Sequence, residues 1–276
     1  MKISTKIFTN VILSFALFGI SLSSQAITLD IPLEAVLVVG NTESGTASSI
    51  KKMNEVALIF ENQGIKVTKF YNRNTNWEAI KMAAKTASFF VYSGHGSTMG
   101  INGDSGGLCL NKMISTEQIL KELKLKKNAI VLFKSVCRGA GSSVVDSKDI
   151  GIEEATNRVS DYAQPFFTIG AACYYADNYD DGINLFLTEF LSGKTVGECY
   201  EITTKDSMVF HEIAKPFILD TKKQIAISSD QHEGMTTQYI FNNGTTTYKK
   251  IPSFKNYDIA FVGNPSFSIT KLISSD

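Results

Sequence analysis

Proline is scarce in this chain, five in 276 residues, and tryptophan occurs once, histidine three times and cysteine four times. So little proline, with only 20 glycines, excludes collagen-like and proline-rich linker compositions. Neither sign of charge dominates: 27 Lys and Arg balance 27 Asp and Glu, and the sequence pI is near 6.8. That excludes a nucleic-acid binder that works through net basic charge. Long like-charge runs are missing, and a hydrophobic content of 43% excludes disorder along the chain. The absence of heptads and of internal repeats excludes coiled coils and solenoids. Four cysteines in a chain of this length are no disulfide scaffold.

What the sequence has at its start is a cationic and then apolar stretch. Lys2 and Lys6 precede Val11 to Leu22, an apolar run broken only by Ser14, Gly19 and Ser21, and Ser24-Gln25-Ala26 puts small residues where a signal peptidase reads. Residues 1–26 therefore read as a cleavable export signal. The run is short for a membrane span of ~20 residues. No cysteine follows it, so no lipid anchor is suggested. Removal leaves residues 27–276 as a single domain of net charge −2 with no second stretch long enough to span a bilayer. The expected location is secreted or periplasmic. In that oxidising setting one cysteine pair could bridge, and at most one if a thiol is kept for chemistry.

Along the domain, apolar runs alternate with helical periodicity. Strands are expected at Glu34–Gly40, Ile65–Phe70, Ala87–Tyr92, Asn128–Phe133, Pro165–Ala171 and Asp258–Gly263. Helices are expected at Ser48–Gln63, Asn76–Ala87 with Asn76 as cap, Ser115–Leu123 with a capping box, Asp149–Arg158, Gly182–Leu191 and Thr195–Ala214. Met99–Leu110 is a Gly-rich irregular excursion or small hairpin, and Lys223–Ser253 a turn-rich strand hairpin around Asn242-Asn243-Gly244. Continuous rather than alternating apolar strands argue a mostly parallel sheet in an α/β fold, with helices on both faces. Chemistry in such sheets gathers beyond the carboxyl ends of the strands.

Two strand ends carry reactive side chains. His95 follows one strand and Cys137 follows the next, so their loops should be neighbours. A thiol attacks a carbonyl as thiolate, and an imidazole titrates where proton transfer is needed. Gly94 and Gly96 leave the backbone beside His95 bare. The amides of Gly96 and Cys137 would then make an oxyanion hole.

Ser93-Gly94-His95-Gly96 after FFVY, and Ser135-Val136-Cys137-Arg138-Gly139 after IVLF, resemble the His and Cys motifs of caspase-fold cysteine peptidases, the clan of caspases, legumains, clostripain and gingipains. Phe166-Phe167-Thr168-Ile169-Gly170-Ala171, Phe190-Leu191-Ser192-Gly193-Lys194-Thr195-Val196-Gly197-Glu198, and Gly263-Asn264-Pro265 (Asn where the pattern has Asp) are most similar to the gingipain branch. The resemblance spans Glu34 to Ile269. It implies a mostly parallel six-stranded caspase-like sheet, Cys137 as nucleophile and His95 as acid/base group. It implies an endopeptidase acting on proteins or peptides, which with the export signal and the balanced charge gives an expected exported peptidase with no nucleic-acid partner and no cofactor. Ser135 stands where neither a caspase-like Gln nor a clostripain-like Asp is found. Ser135, Asp177 and Asp181 are candidate substrate-binding residues; the acids, with Asp180, could meet a cationic P1 side chain, line a solvated turn or hold calcium. Two other uses of the same dyad are a transpeptidase or amidase, and a caspase-fold binding or surface-assembly protein without proteolysis. Lys148 and Lys249-Lys250 are candidate processing points.

Other signals lead elsewhere. Gly103-Asp104-Ser105-Gly106-Gly107 matches a serine-protease motif, but the only preceding histidine is His95 and the chain before it alternates helix with strand. The Gly cluster is expected to be a flexible loop. His211-Glu212 lacks the second His of a helical zinc site, and His232 lies in a polar turn. Cys109, Cys173 and Cys199 are expected to be buried or bridged. Asn243-Gly244-Thr245 is a glycosylation sequon only in a eukaryotic host, and Val39–Gly45 lacks the Lys of a phosphate loop.

Overall fold

Val, Ile, Leu and Phe packed into short runs favour strands buried on both faces, and the computed structural model has that arrangement. It describes residues 32–178, 182–204, 210–216, 224–240 and 245–274. The export-signal segment, Asp180, Asp181 and Asn242-Asn243-Gly244 lie outside the described residues. In chain order the elements are β1 (Glu34–Val39), α1 (Thr46–Asn62), β2 (Lys66–Tyr71), α2 (Trp77–Ala84), β3 (Phe89–Ser93), β4 (Leu108–Cys109), β5 (Met113–Ile114), α3 (Thr116–Glu122) and β6 (Ala129–Lys134). They continue as α4 (Gly151–Thr168), β7 (Ala171–Asp177), α5 (Gly182–Leu191), α6 (Val196–Thr204), β8 (Phe210–Pro216), β9 (Gln224–His232), β10 (Met235–Ile240), β11 (Thr246–Ile251), β12 (Phe254–Gly263) and α7 (Ile269–Ile273).

The main sheet has eight strands in the order β2-β1-β3-β6-β7-β12-β9-β8. β2, β1, β3, β6 and β7 run parallel, and β12, β9 and β8 extend the sheet antiparallel. The fold is thus mixed α/β and mostly parallel, with eight strands rather than six. The two extra strands, β8 and β9, come from segments that read differently in sequence. Phe210–Pro216 is strand, not the end of a helix from Thr195, and His211 therefore sits on β8. Gln224–His232 pairs with β12 in the main sheet, and only β10 and β11 form the separate hairpin. Pro165–Ala171 is not a strand: α4 continues through Pro165, and the strand begins at Ala171.

Helices cover both faces. α2, α3 and α4 pack on the side of Val36, Val38, Phe90, Tyr92, Val131, Phe133 and Tyr174. α1, α5 and α6 pack on the other. Each fully buried Val, Leu, Ile or Phe contributes about 1.5–3 kcal/mol. α2 begins where the Asn76 side chain accepts from the Ala79 amide. α3 begins at a complete Ser115/Gln118 capping box; a cap of this kind contributes about 1 kcal/mol. α4 stops before Gly170, whose φ of 119° is one that side chains rarely adopt. Among the described residues no helix is long and apolar enough to cross a membrane.

Candidate active site

Parallel register sets the site. Ser93 at the end of β3 is level with Lys134 at the end of β6, and Lys134 with Asp177 at the end of β7. The chain therefore leaves three neighbouring strands at one sheet edge. His95 is two residues past β3 and exposed, and Cys137 is three residues past β6 and half-buried. The loops touch at Gly96, where a Cβ would overlap the Cys137 carbonyl and lie 3.0 Å from its Cα. Glycine is required there because the backbones are in contact. Among the described residues neither the Gly96 nor the Cys137 amide is bonded to another group.

The Cys137 loop is held in an uncommon backbone shape. Ser135 and Arg138 have φ of 54° and 68°, left-handed values that are strained for side-chain-bearing residues. The strain is held by fixed bonds. Ser135 N–H donates to Asp177 O at 2.7 Å, Arg138 N–H to Ser142 O at 2.7 Å and Gly139 N–H to Val136 O at 2.9 Å. Ser142 is tied to β12 in both directions, its N–H donating to Tyr257 O and its Oγ accepting from Tyr257 N–H.

Beside Cys137 opens a cavity of about 390 Å³. Ser135, Ser142 and Asn178 line it with the apolar side chains of Val144, Ile251 and Phe254, and with the acids Asp146 and Asp258. The two acids differ. Asp146 is paired with Arg158 at 2.8 Å and accepts from Ser143 N–H. Asp258 is 6% exposed and accepts from the side-chain amides of Asn256 at 2.6 Å and Asn178 at 3.4 Å. It stands at the β-bulge between Tyr257 and Ile259, a device that re-aims a side chain.

The sequence-level candidates separate on this map. Ser135 lines the cavity. Asp177 does not: it is 1% exposed, accepts from Tyr175 Oη–H at 3.2 Å and lies against Gly182 at the start of α5. Its strand end supports the Ser135 amide, and its neighbour Asn178 lines the cavity. Asp258 was legible only as the acid that opens the apolar run of the last strand. Ser105 is buried, and Gly106 and Gly107 after it are packed, a Cβ on Gly106 overlapping Thr116 Oγ1, whereas Gly103 before it is exposed with open space around it. All four cysteines are free thiols, and Cys137 alone is not buried. Burial raises the Cys109 thiol, pushes Cys199 up to about 12 and takes Cys173 far above the ordinary range. Three thiols are thereby kept from thiolate chemistry. Among the described residues no group of three or more His, Cys, Asp and Glu is gathered to hold a metal. No known protein family and no curated protein matches this chain.

Proposed function

We propose that this protein is a cysteine peptidase of caspase-like fold, similar to the gingipain branch, acting outside the cytoplasm. The observation that carries the reading is the contact of Gly96 with the Cys137 carbonyl, which joins the His and Cys loops beside a cavity. The order β2-β1-β3-β6-β7-β12, a mostly parallel six-strand portion of the sheet, supports the fold assignment.

In this reading the Cys137 thiolate attacks the scissile carbonyl. The oxygen, now negative, accepts from the Gly96 and Cys137 amides. His95 gives a proton to the departing amine as the C–N bond breaks, leaving a thioester. Water, losing a proton to His95, then hydrolyses the thioester and frees the thiolate. The cavity has apolar walls with Asp258 among its lining groups, which suits an aliphatic stem ending in a cation, so Lys or Arg is the expected P1 residue. In that role Asp258 takes the place of Asp177.

The test is cleavage of a positional peptide library by the protein from residue 27 onward, alongside Cys137→Ala and His95→Ala. The expected result is turnover after Lys or Arg, lost in Cys137→Ala and reduced at least 100-fold in His95→Ala. Turnover that survives Cys137→Ala would remove the assignment. Cleavage after other residues, with Asp258→Asn unchanged, would remove the P1 reading alone.

A further inference from the structure

The loop that bears His95 rests on two buried phenols. Tyr92, the residue before the last of β3, turns its ring beneath the loop, and a Cβ on Gly94 would overlap the Tyr92 hydroxyl. Tyr92 Oη–H reaches two acceptors, His95 O at 3.1 Å and Cys109 O at 3.3 Å, the nearer being His95 O, and Tyr92 Oη accepts from Cys109 N–H at 2.9 Å. Tyr162 reaches the loop from α4: its Oη accepts from Ser97 N–H at 2.7 Å and donates to Ser97 O at 3.3 Å. Both rings meet Phe133, at centroid separations of 5.2 and 5.5 Å. A hydroxyl buried in such surroundings is costly unless bonded. Tyr162 spends both of its bonds on the irregular backbone of the loop, and Tyr92 ties that loop to Cys109 at the end of β4.

The peptide geometry gives these bonds a consequence. The His95 carbonyl and the Gly96 N–H belong to one planar trans peptide and point in opposite directions. A donor that holds His95 O from below fixes the Gly96 N–H aimed outward, away from Tyr92. The next peptide carries the Ser97 N–H, which Tyr162 holds. Gly96 is thus pinned on both sides, although as glycine it is the residue most free to turn. A hydrogen bond accepted by a peptide oxygen also polarises the group and strengthens its N–H as a donor.

We propose that Tyr92 and Tyr162 are positioning residues that orient the Gly96 amide toward the oxygen of the reacting carbonyl, Tyr92 through the peptide it shares with that amide and Tyr162 through the peptide that follows. The inference rests on the peptidase reading above and names the groups that set its oxyanion site. Neither tyrosine touches substrate.

The test compares Tyr92→Phe and Tyr162→Phe with Tyr200→Phe. Tyr200 is an equally plain control: its buried hydroxyl bonds to Ser228 Oγ on the opposite side of the sheet. Four quantities are read: melting temperature, kcat, KM, and inhibition by a peptide aldehyde whose adduct with Cys137 carries the oxyanion. Tyr92→Phe should lose roughly 10–100-fold in kcat, less than the loss of a whole oxyanion donor, with KM within about twofold. Its aldehyde inhibition should weaken by a factor that tracks kcat. Tyr162→Phe should do the same to a smaller degree, and Tyr200→Phe should leave kcat unchanged at a similar cost in melting temperature. The proposal is overturned if Tyr92→Phe keeps its kcat, or if all three variants lose kcat in step with stability. Hydrogen exchange of residues 94–98 separates the two readings. If the wild-type protein shows no Cys137-dependent turnover, the peptidase reading falls and the catalytic role of the tyrosines with it. Faster exchange at those amides in Tyr92→Phe and Tyr162→Phe would still show the hydroxyls holding the loop, and unchanged exchange would refute that as well.

Discussion

On the α1/α5 side of the sheet, Phe60 lies 4.8 Å from Phe89, Phe89 is edge-on to Phe190, and Phe190 is stacked on Phe186 and Phe267. On the α4 side, Phe133 meets Tyr92, Tyr162 and Tyr174 at 5.2, 5.5 and 5.1 Å. Both clusters bury large rings, and each gains the burial and ring-packing energy that aromatic clusters provide. They differ in where their polar atoms go. The first cluster is mostly phenylalanine and ends in other rings. The second sends three hydroxyls out to His95 O, to the Ser97 amide and to Gly139 O, all on the two loops of the candidate site. One face of the sheet is given to packing, while the other also holds the two loops of the candidate site. The number of aromatics cannot distinguish those jobs, but the destination of each hydroxyl can.

The largest expected effect tests whether that division is real. Phe133→Ala and Phe186→Ala each empty a fully buried site, and each should cost about 3–5 kcal/mol. In a domain of this size that is a fall of roughly 6–20 °C in melting temperature. Specific activity per folded molecule should drop at least tenfold in Phe133→Ala, because the tyrosines lose their common support. It should hold in Phe186→Ala. Equal specific activities, with the folded fraction measured by circular dichroism, would dissolve the distinction between the faces.

A sharper comparison needs only one strand. Tyr174 and Tyr175 are consecutive in β7 and fully buried on opposite faces. Tyr174 donates to Gly139 O at 2.9 Å, and Tyr175 to a carboxylate oxygen of Asp177 at 3.2 Å. A bond to a carboxylate contributes about 1.5–3 kcal/mol and a neutral one about 0.5–1.5 kcal/mol. Tyr175→Phe should therefore be the less stable variant by urea unfolding. Tyr174→Phe should be the less active, by roughly threefold to tenfold in kcat. If the variant that loses more stability also loses more activity, the hydroxyl of Tyr174 is no more than a brace.

Much of this division was out of reach of the sequence, for physical reasons. The strands β1, β3 and β6 are legible as Val- and Phe-rich runs, and so are the caps of α2 and α3, because those signals are local. His95 and Cys137 are legible because each ends such a run beside glycine. Pro165-Phe166-Phe167 reads as strand because a short apolar run has no period of its own. In the fold those residues continue the helical face of Ala155, Val159 and Tyr162. That misplacement hides Tyr162, whose role depends on a helix carried to Thr168. Asp258 and the antiparallel strands β8 and β9 depend on pairings between distant segments, which no local pattern encodes. Tyr92 looks like one more core aromatic until the destination of its hydroxyl is known.

The smallest expected effect is a pH response confined to the α4 face. Asp161 on that helix is half-buried, and burial, reinforced by the charges of Asp104 and Glu154, raises its carboxyl to about 6. An unfolded chain would titrate it near 4. Between those values the folded protein binds the proton that the unfolded chain has released, so stability falls as pH rises through the window and recovers on acidification. The nearby Ser105 amide favours the ionised carboxylate and opposes the shift without cancelling it. Partial exposure screens the effect, which should amount to no more than about 1 kcal/mol, or roughly 2–4 °C. Asp161→Asn should therefore gain stability over the wild type at pH 7 and lose that advantage by pH 4. Melting curves of the two proteins at half-unit pH steps would show it as a gap that closes across the window. Parallel curves would mean that Asp161 reaches water in the folded state, and that the α4 face carries no pH response of its own.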